Sequence, residues 1–354
     1  MTSTDSRRPG SAGHSSFPPL PAPASLRPPS RLKPARPALV GWTVAIALVA
    51  AVGLALTAFT GWDGIAAAGA GAVQALPLLP ALMALHLLQL LLSSIAWRSL
   101  FAPPRPGIAA FYRLRVMREG IDSLLPVAQV GGSIVNARLL SQGGIAGSQA
   151  GASVIVDLTV ELLTQVVLLL AALALLAWVL QESAWTAWLG GLLAGAGALA
   201  ALLAAQRFGA LRALEQLLRG MAERFPGLAM GSLDGLHAAA LALYRQPAAM
   251  LPCIGLHLIS SALGTAETWA VLQALGVPVT PAQAFVIESL GMAARSAGFA
   301  IPAALGAQEG GFVLAAAAVG VPAGPALALS LVKRARESAV GLIGLALWRR
   351  AASR

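Results

Sequence analysis

The sequence is short of cysteine, of charge and of patterned histidine. Cys253 is the only cysteine among 354 residues, so there is no disulfide framework. Placed in an apolar run, it reads as a small buried apolar residue. His14, His86, His237 and His257 lack metal-ligand spacing and read as structural or interfacial. No metal and no cofactor is therefore expected. Only 11% of the residues are charged, against 57% hydrophobic. A soluble domain of this length needs far more charge to cover its surface. Any chemistry would have to occur inside a membrane or at its face.

What is present is apolar and organised into spans. Mean hydropathy is +0.76, and the apolar residues cluster into runs of roughly 20, the length that crosses a hydrocarbon core. The runs cover 38–60, 75–97, 150–180, 185–205, 249–272, 281–301, 309–322 and 325–349. The last three are impure. The pattern predicts an all-α polytopic membrane protein with about eight transmembrane or re-entrant helices.

A formal charge of +10 could indicate nucleic acid, but the basic residues alternate with the apolar runs. Arg7, Arg8, Arg27, Arg31, Lys33 and Arg36 precede the first run. Arg98, Arg105, Arg113, Arg115 and Arg118 follow the second. Arg207, Arg212, Arg219, Arg224 and Arg245 follow the fourth, and Arg349, Arg350 and Arg354 close the chain. Loops 61–74, 181–184 and 273–280 contain no Lys or Arg. This positive-inside pattern predicts both termini in the cytoplasm of a bacterial-type inner membrane, and no nucleic-acid partner. Residues 1–37 are rich in Pro, Ser and Arg and read as a disordered cytoplasmic tail. Within 206–247, Leu214, Leu217, Leu218 and Met221 take one helical side and Arg212, Glu215, Arg219 and Glu223 the other. That stretch reads as a cytoplasmic amphipathic segment on the membrane surface.

Two impure segments resemble each other. The first runs from Arg118 and Glu119 through Pro126 to Gln129, Gly131 and Gly132; the second runs from Arg295 through Pro302 to Gln308, Glu309, Gly310 and Gly311. Each has an arginine, an apolar stretch to a proline, then Gln-x-Gly-Gly. Downstream, Gly144–Glu161 aligns without gaps on Gly320–Glu337. These features predict half-repeats near 104–180 and 278–349, and the charge pattern makes them inverted. Proline and paired glycine break a helix, and broken backbone at membrane depth is tolerated only against protein or a water-filled cavity. A hydrophilic cavity is expected between the two Gln-x-Gly-Gly segments, with Gly131 and Gly310 as its close-approach points.

Acidic groups sit inside the apolar runs. Asp157, Glu161 and Gln165 are four residues apart and share a helix face. Glu267, Glu288 and Glu309 lie in other runs, with Arg295, Lys333, Arg334 and Arg336 as candidate partners. Such groups face the protein interior or water, where ion pairing and a direct role with substrate or protons are both open. The gapless alignment sets Asp157 opposite Lys333 and Glu161 opposite Glu337. Helices of inverted copies that cross near the midplane would bring Asp157 and Glu161 against the Lys333–Arg336 cluster.

At these motifs the chain resembles the lysylphosphatidylglycerol synthase transmembrane, or flippase-like, superfamily, and within it the hopanoid-biosynthesis-associated membrane proteins. The likeness is carried by Arg118-Glu119 through Leu-Leu-Pro-Val-Ala-Gln-Val-Gly-Gly, by residues 137–140 (Ala-Arg-Leu-Leu) and by residues 152–161 (Ala-Ser-Val-Ile-Val-Asp-Leu-Thr-Val-Glu). It continues through residues 287–291, 306–312 and 328–337, and departs from the family pattern at Gly120, Asp122 and Ser133. The resemblance implies a flippase-like transmembrane domain over 38–350. It implies membrane lipids as partners, hopanoids or anionic phospholipids among them, and a working association with lipid-synthesis enzymes. The synthases join this domain to a soluble aminoacyltransferase, which is not expected here, so lipid movement without lysyl transfer follows. The stretch Glu119-Gly120 with Leu125-Pro126-Val127 is also similar to the re-entrant acidic motifs of undecaprenyl-diphosphate phosphatases, which gives an enzymatic alternative. A non-transporting scaffold for lipid-synthesis enzymes is a third reading.

Overall fold

A computed structural model describes Leu54, Thr57 and residues 61–103, 105–125, 131–180, 235–298 and 301–352. The expected tail, the runs at 38–60 (all but Leu54 and Thr57) and 185–205, and most of the amphipathic segment lie outside the described residues. Every regular element among the described residues is a helix. Residues 61–74 are helical, and a 3-10 turn at Leu76–Leu78 leads into α1, Leu79–Ser99. Then come α2 (Ile108–Leu124), α3 (Gly131–Gln142) and α4 (Gly147–Leu180). After them follow α5 (Leu236–Tyr244), α6 (Pro247–Ala274), α7 (Pro281–Ala297), α8 (Ala307–Ala318) and α9 (Ala323–Ala352).

Among the described residues, three helices are long and apolar enough to cross a membrane: Leu76–Ser99, Gly147–Ala177 and Pro247–Ala274. Only 28%, 28% and 22% of their apolar windows are buried inside the protein, so most of that apolar surface points outward, as hydrocarbon solvent requires. Leu162, Val167, Ile259, Leu314 and Leu342 are among the exposed side chains. The chain is a multi-pass helical membrane protein.

Helices α3 and α8 have 12 residues each. Twelve residues rise only about 18 Å, too little for a hydrocarbon core of about 30 Å. Each follows a 17-residue helix, α2 or α7, and each precedes a long one, α4 with 34 residues or α9 with 30. Gly144 and Gly320, both at positive φ, stand three residues ahead of those long helices. An L side chain pays a steric penalty there and glycine does not.

The apolar runs in the sequence locate α1, α4, α6, α7, α8 and α9 but pass over α2 and α3. Arg113, Arg115, Arg118, Glu119 and Asp122 dilute α2 too far for a hydropathy window. Arg115 and Arg118 read as loop charges by position, yet both lie within α2 with side chains at most 17% exposed.

Helices α1 and α6 pack against each other. Gln89 Nε2 donates to Ser260 O at 3.4 Å, and Ser99 Oγ donates to Ala249 O at 3.0 Å. Numbers rise on one helix as they fall on the other, so the pair is antiparallel. Helix α2 packs closely on α9, where three glycines, Gly120, Gly341 and Gly344, bring backbone against backbone. Small residues serve this way in membranes, where apolar side chains gain nothing by leaving lipid.

Candidate functional site

Charged residues from α2, α4, α6, α7, α8 and α9 converge as two clusters, largely buried except at Glu161, whose side chain is 45% exposed. In the first, Arg115 Nη2 donates to Asp157 Oδ2 at 2.5 Å, and His257 Nε2 lies 3.2 Å from Asp157 Oδ1. Glu161 takes Arg118 Nη1 at 3.3 Å and has Arg115 Nη1 at 3.6 Å. Arg118 Nε donates to Asp122 at 3.3 Å, and the other Asp122 oxygen accepts the Gly132 backbone N–H at 2.8 Å. A carboxylate thus satisfies a donor in the first turn of α3 and neutralises its positive end.

In the second cluster, Lys333 Nζ lies 3.0 Å from Glu288 and 3.6 Å from Glu267. Glu267 also accepts from Arg336. Arg336 Nη2 reaches Glu337 at 3.2 Å, and Arg295 Nη1 reaches the same carboxylate at 2.6 Å. Arg295 donates to Gln308 at 2.8 Å, and Thr268 donates to Glu288 at 2.6 Å. Arg334 Nε donates to Glu309 at 2.6 Å, while Glu309 accepts the Gly306 N–H at the start of α8 at 2.7 Å. Just ahead, in the turn Pro302–Ala304, Ala303 and Ala304 take φ of 51° and 48°. That left-handed conformation is sparsely populated by residues with a side chain, and Arg334 Nη1 holds the Ala303 carbonyl at 2.9 Å. Between the clusters, Glu119 lies 3.5 Å from His86 Nε2 and within electrostatic reach of Arg295 and Glu337.

The expected facing of Asp157 and Lys333 is not what forms. Asp157 is neutralised by Arg115, and Lys333 by Glu288 and Glu267. The reason is geometric. Equivalent residues of a repeat occupy equivalent environments, each in its own half, and meet only on the axis that relates the halves. The register itself carries over into the pairing. Arg115 is the eighth residue of α2 and Asp157 the eleventh of α4; Glu288 is the eighth of α7 and Lys333 the eleventh of α9. Both halves therefore join the same two positions, with the charges exchanged. Asp122 and Arg295, each the fifteenth residue of its helix, likewise reach the second residue of the next helix, Gly132 or Gln308.

Gly310 is also corrected as a close-approach point: a Cβ there would meet nothing within 4 Å. The crowded glycines are their neighbours in the motifs. A Cβ on Gly132 would lie 2.9 Å from the Arg118 backbone, and one on Gly311 would lie 2.3 Å from Ala294 Cβ. Gly131 opens α3. Pro126 and Gln129 lie outside the described residues. Arg115, Asp122, His86 and His257 join the site although the sequence alone does not single them out for it, while Glu267 meets the expected partners Lys333 and Arg336. For Arg115 a signal was present: it stands three residues before Arg118, on the helix face that meets the Asp157–Glu161 stripe.

Asp157, Cys253 and His257 bring their polar atoms within 4.8 Å of one another. Within that group Asp157 is held from both sides, by the Arg115 guanidinium on Oδ2 and by His257 Nε2 at Oδ1. Among the described residues, buried Gln308 Nε2 and Arg334 Nη2 have no hydrogen-bond partner. Both donors lie at the break between α7 and α8.

The family described as the lysylphosphatidylglycerol synthase TM region matches residues 42–344. The chain belongs to that family. Membership makes it a membrane protein of lipid metabolism or flippase type. It also puts both charge clusters and both interrupted helix pairs inside the lysylphosphatidylglycerol synthase transmembrane region. No curated protein and no solved structure matches the chain.

Proposed function

We propose that the protein is a flippase-like lipid transporter of a bacterial inner membrane, with both termini cytoplasmic, working in hopanoid biosynthesis or trafficking rather than as an enzyme. The observation that carries the reading is the charge-exchanged pairing in two matched sets of helices. Buried ion pairs cost desolvation and add little net stability over apolar packing, and charges inside a membrane mark transport paths. Two such sets, each beside a helix too short to span, suit an inverted repeat whose halves open in turn around a central path. The unpartnered donors of Gln308 and Arg334 suit a headgroup rich in acceptor oxygens. The hopanoid assignment rests on the likeness of the motif segments.

Arg118 packs on Gly132 at the start of α3 and Arg295 donates to Gln308 at the start of α8, each with a side chain 17% exposed. In vesicles carrying a fluorescent lipid, the purified protein should equilibrate the label between leaflets. Arg118→Gln and Arg295→Gln should each slow it about tenfold or more, the effect of roughly 1.4 kcal/mol on a barrier, with membrane insertion retained. Wild-type rates in both variants reject the paired-site reading. Release of inorganic phosphate from a lipid pyrophosphate, without label movement, would make the protein a phosphatase instead.

A further inference from the structure

A second site lies apart from the buried charges. The last turns of α1 and the first turns of α6 enclose a recess lined by Ile95, Arg98, Ser99, Arg105, Pro252 and Leu256, and it shares no residue with either charge cluster. Two arginines form its polar end. Arg98 Nε donates to Pro106 O at 2.8 Å, and Arg105 Nη1 donates to Phe101 O at 3.1 Å and to Arg98 O at 3.3 Å. These bonds anchor both guanidinium groups against backbone carbonyls at and beyond the C-terminal end of α1, and each keeps further N–H groups for a ligand. No ion pair among the described residues uses either arginine, and no acidic residue lines the recess.

The depth of the recess identifies its ligand. Ser99 ends one membrane-crossing helix and Pro247 begins another, so the arginines stand at a membrane–water boundary. Ile95, Pro252 and Leu256 lie one or two turns further along the same helices, toward the hydrocarbon. Ile95 is 38% exposed, and Pro252 is exposed. A positive end at headgroup depth above an outward-facing apolar wall matches a lipid whose headgroup is an anionic phosphate and whose chain runs down the wall. A basic hollow between helices at the membrane surface is the form such headgroup sites take, and paired guanidinium groups fit phosphate oxygens.

We infer that this recess is a binding site for a phosphate-bearing anionic bilayer lipid, held at the rim of the protein and distinct from any lipid that is moved. The inference does not depend on the transport reading. The test uses the full chain in neutral detergent, with dioleoylphosphatidylglycerol, dioleoylphosphatidylcholine or free glycerol 3-phosphate added, and thermal melting as the readout. The wild-type protein should gain a melting shift with phosphatidylglycerol that the other two do not reproduce. Arg98→Gln with Arg105→Gln should lose most of that shift. Leu256→Trp fills the recess, leaves both arginines and their helix-end bonds in place, and should lose it too, which keeps the test decisive if the arginine variant fails to fold. An undiminished shift in both variants overturns the site. An equal shift from glycerol 3-phosphate overturns the lipid as its ligand.

Discussion

Glu267→Gln should be among the most damaging single substitutions in this protein. Glu267 has no solvent exposure and is held by both Lys333 and Arg336. Neutralising it leaves two buried cations to share Glu288 and Glu337, which already serve Lys333, Arg295 and Arg336. Breaking one side of a buried pair costs about 3–5 kcal/mol, a large part of the roughly 5–15 kcal/mol that holds a domain folded. Folded yield and melting temperature should fall sharply. The pairing itself is read by double-mutant cycles. Lys333→Met combined with Glu288→Gln should recover part of the single-variant losses, because a neutral pair leaves no uncompensated charge. Lys333→Met combined with Asp157→Asn should be additive within about 0.5 kcal/mol, as for sites without a shared partner. Coupling in the second cycle and none in the first would show that Lys333 and Asp157 face each other after all.

Gly344→Val should separate α2 from α9. A Cβ at Gly344 would lie 2.0 Å from the Val116 carbonyl oxygen, and one at Gly120 would lie 2.4 Å from the Gly341 carbonyl oxygen. Both obstacles are backbone, so no rotamer change relieves them and the helices must move apart. Overpacking a close contact costs roughly 1–3 kcal/mol, and Gly344→Val should fall at or above the upper end. Separation would also disturb Arg115 and Arg118, which α2 carries to their partners, so the ion pairs with Asp157 and Glu161 should loosen as melting temperature falls. Gly310→Val is the contrast: it meets open space, and its effect on stability should stay within about 0.5 kcal/mol. Equal melting of the two variants would remove the glycine contact from the account of the fold.

The membrane class and the helical content of this protein were determined by its sequence alone. Run length against hydrocarbon thickness and the scarcity of charge are local properties of a chain, and no folding is needed to read them. The placement of Asp157 and Glu161 on one helix face is local too, because a helix fixes which residues share a side; that Asp157 is buried while the Glu161 side chain is 45% exposed is not. The α7–α8 break was legible from Pro302 and the glycines around it. That α2 is a helix was hidden, because its charges resemble those of a loop until neighbouring helices neutralise them. Which cation holds which carboxylate was decided only by the tertiary structure. Alignment of the halves set Asp157 against Lys333, and the fold gave each a partner from its own half instead, Arg115 and Glu288. Which glycines are crowded was settled in the same way, Gly344 pressed on a carbonyl and Gly310 open. Periodicity records the side on which a residue lies, but a buried charge or a bare backbone depends on what stands opposite, and that is set only when the helices pack.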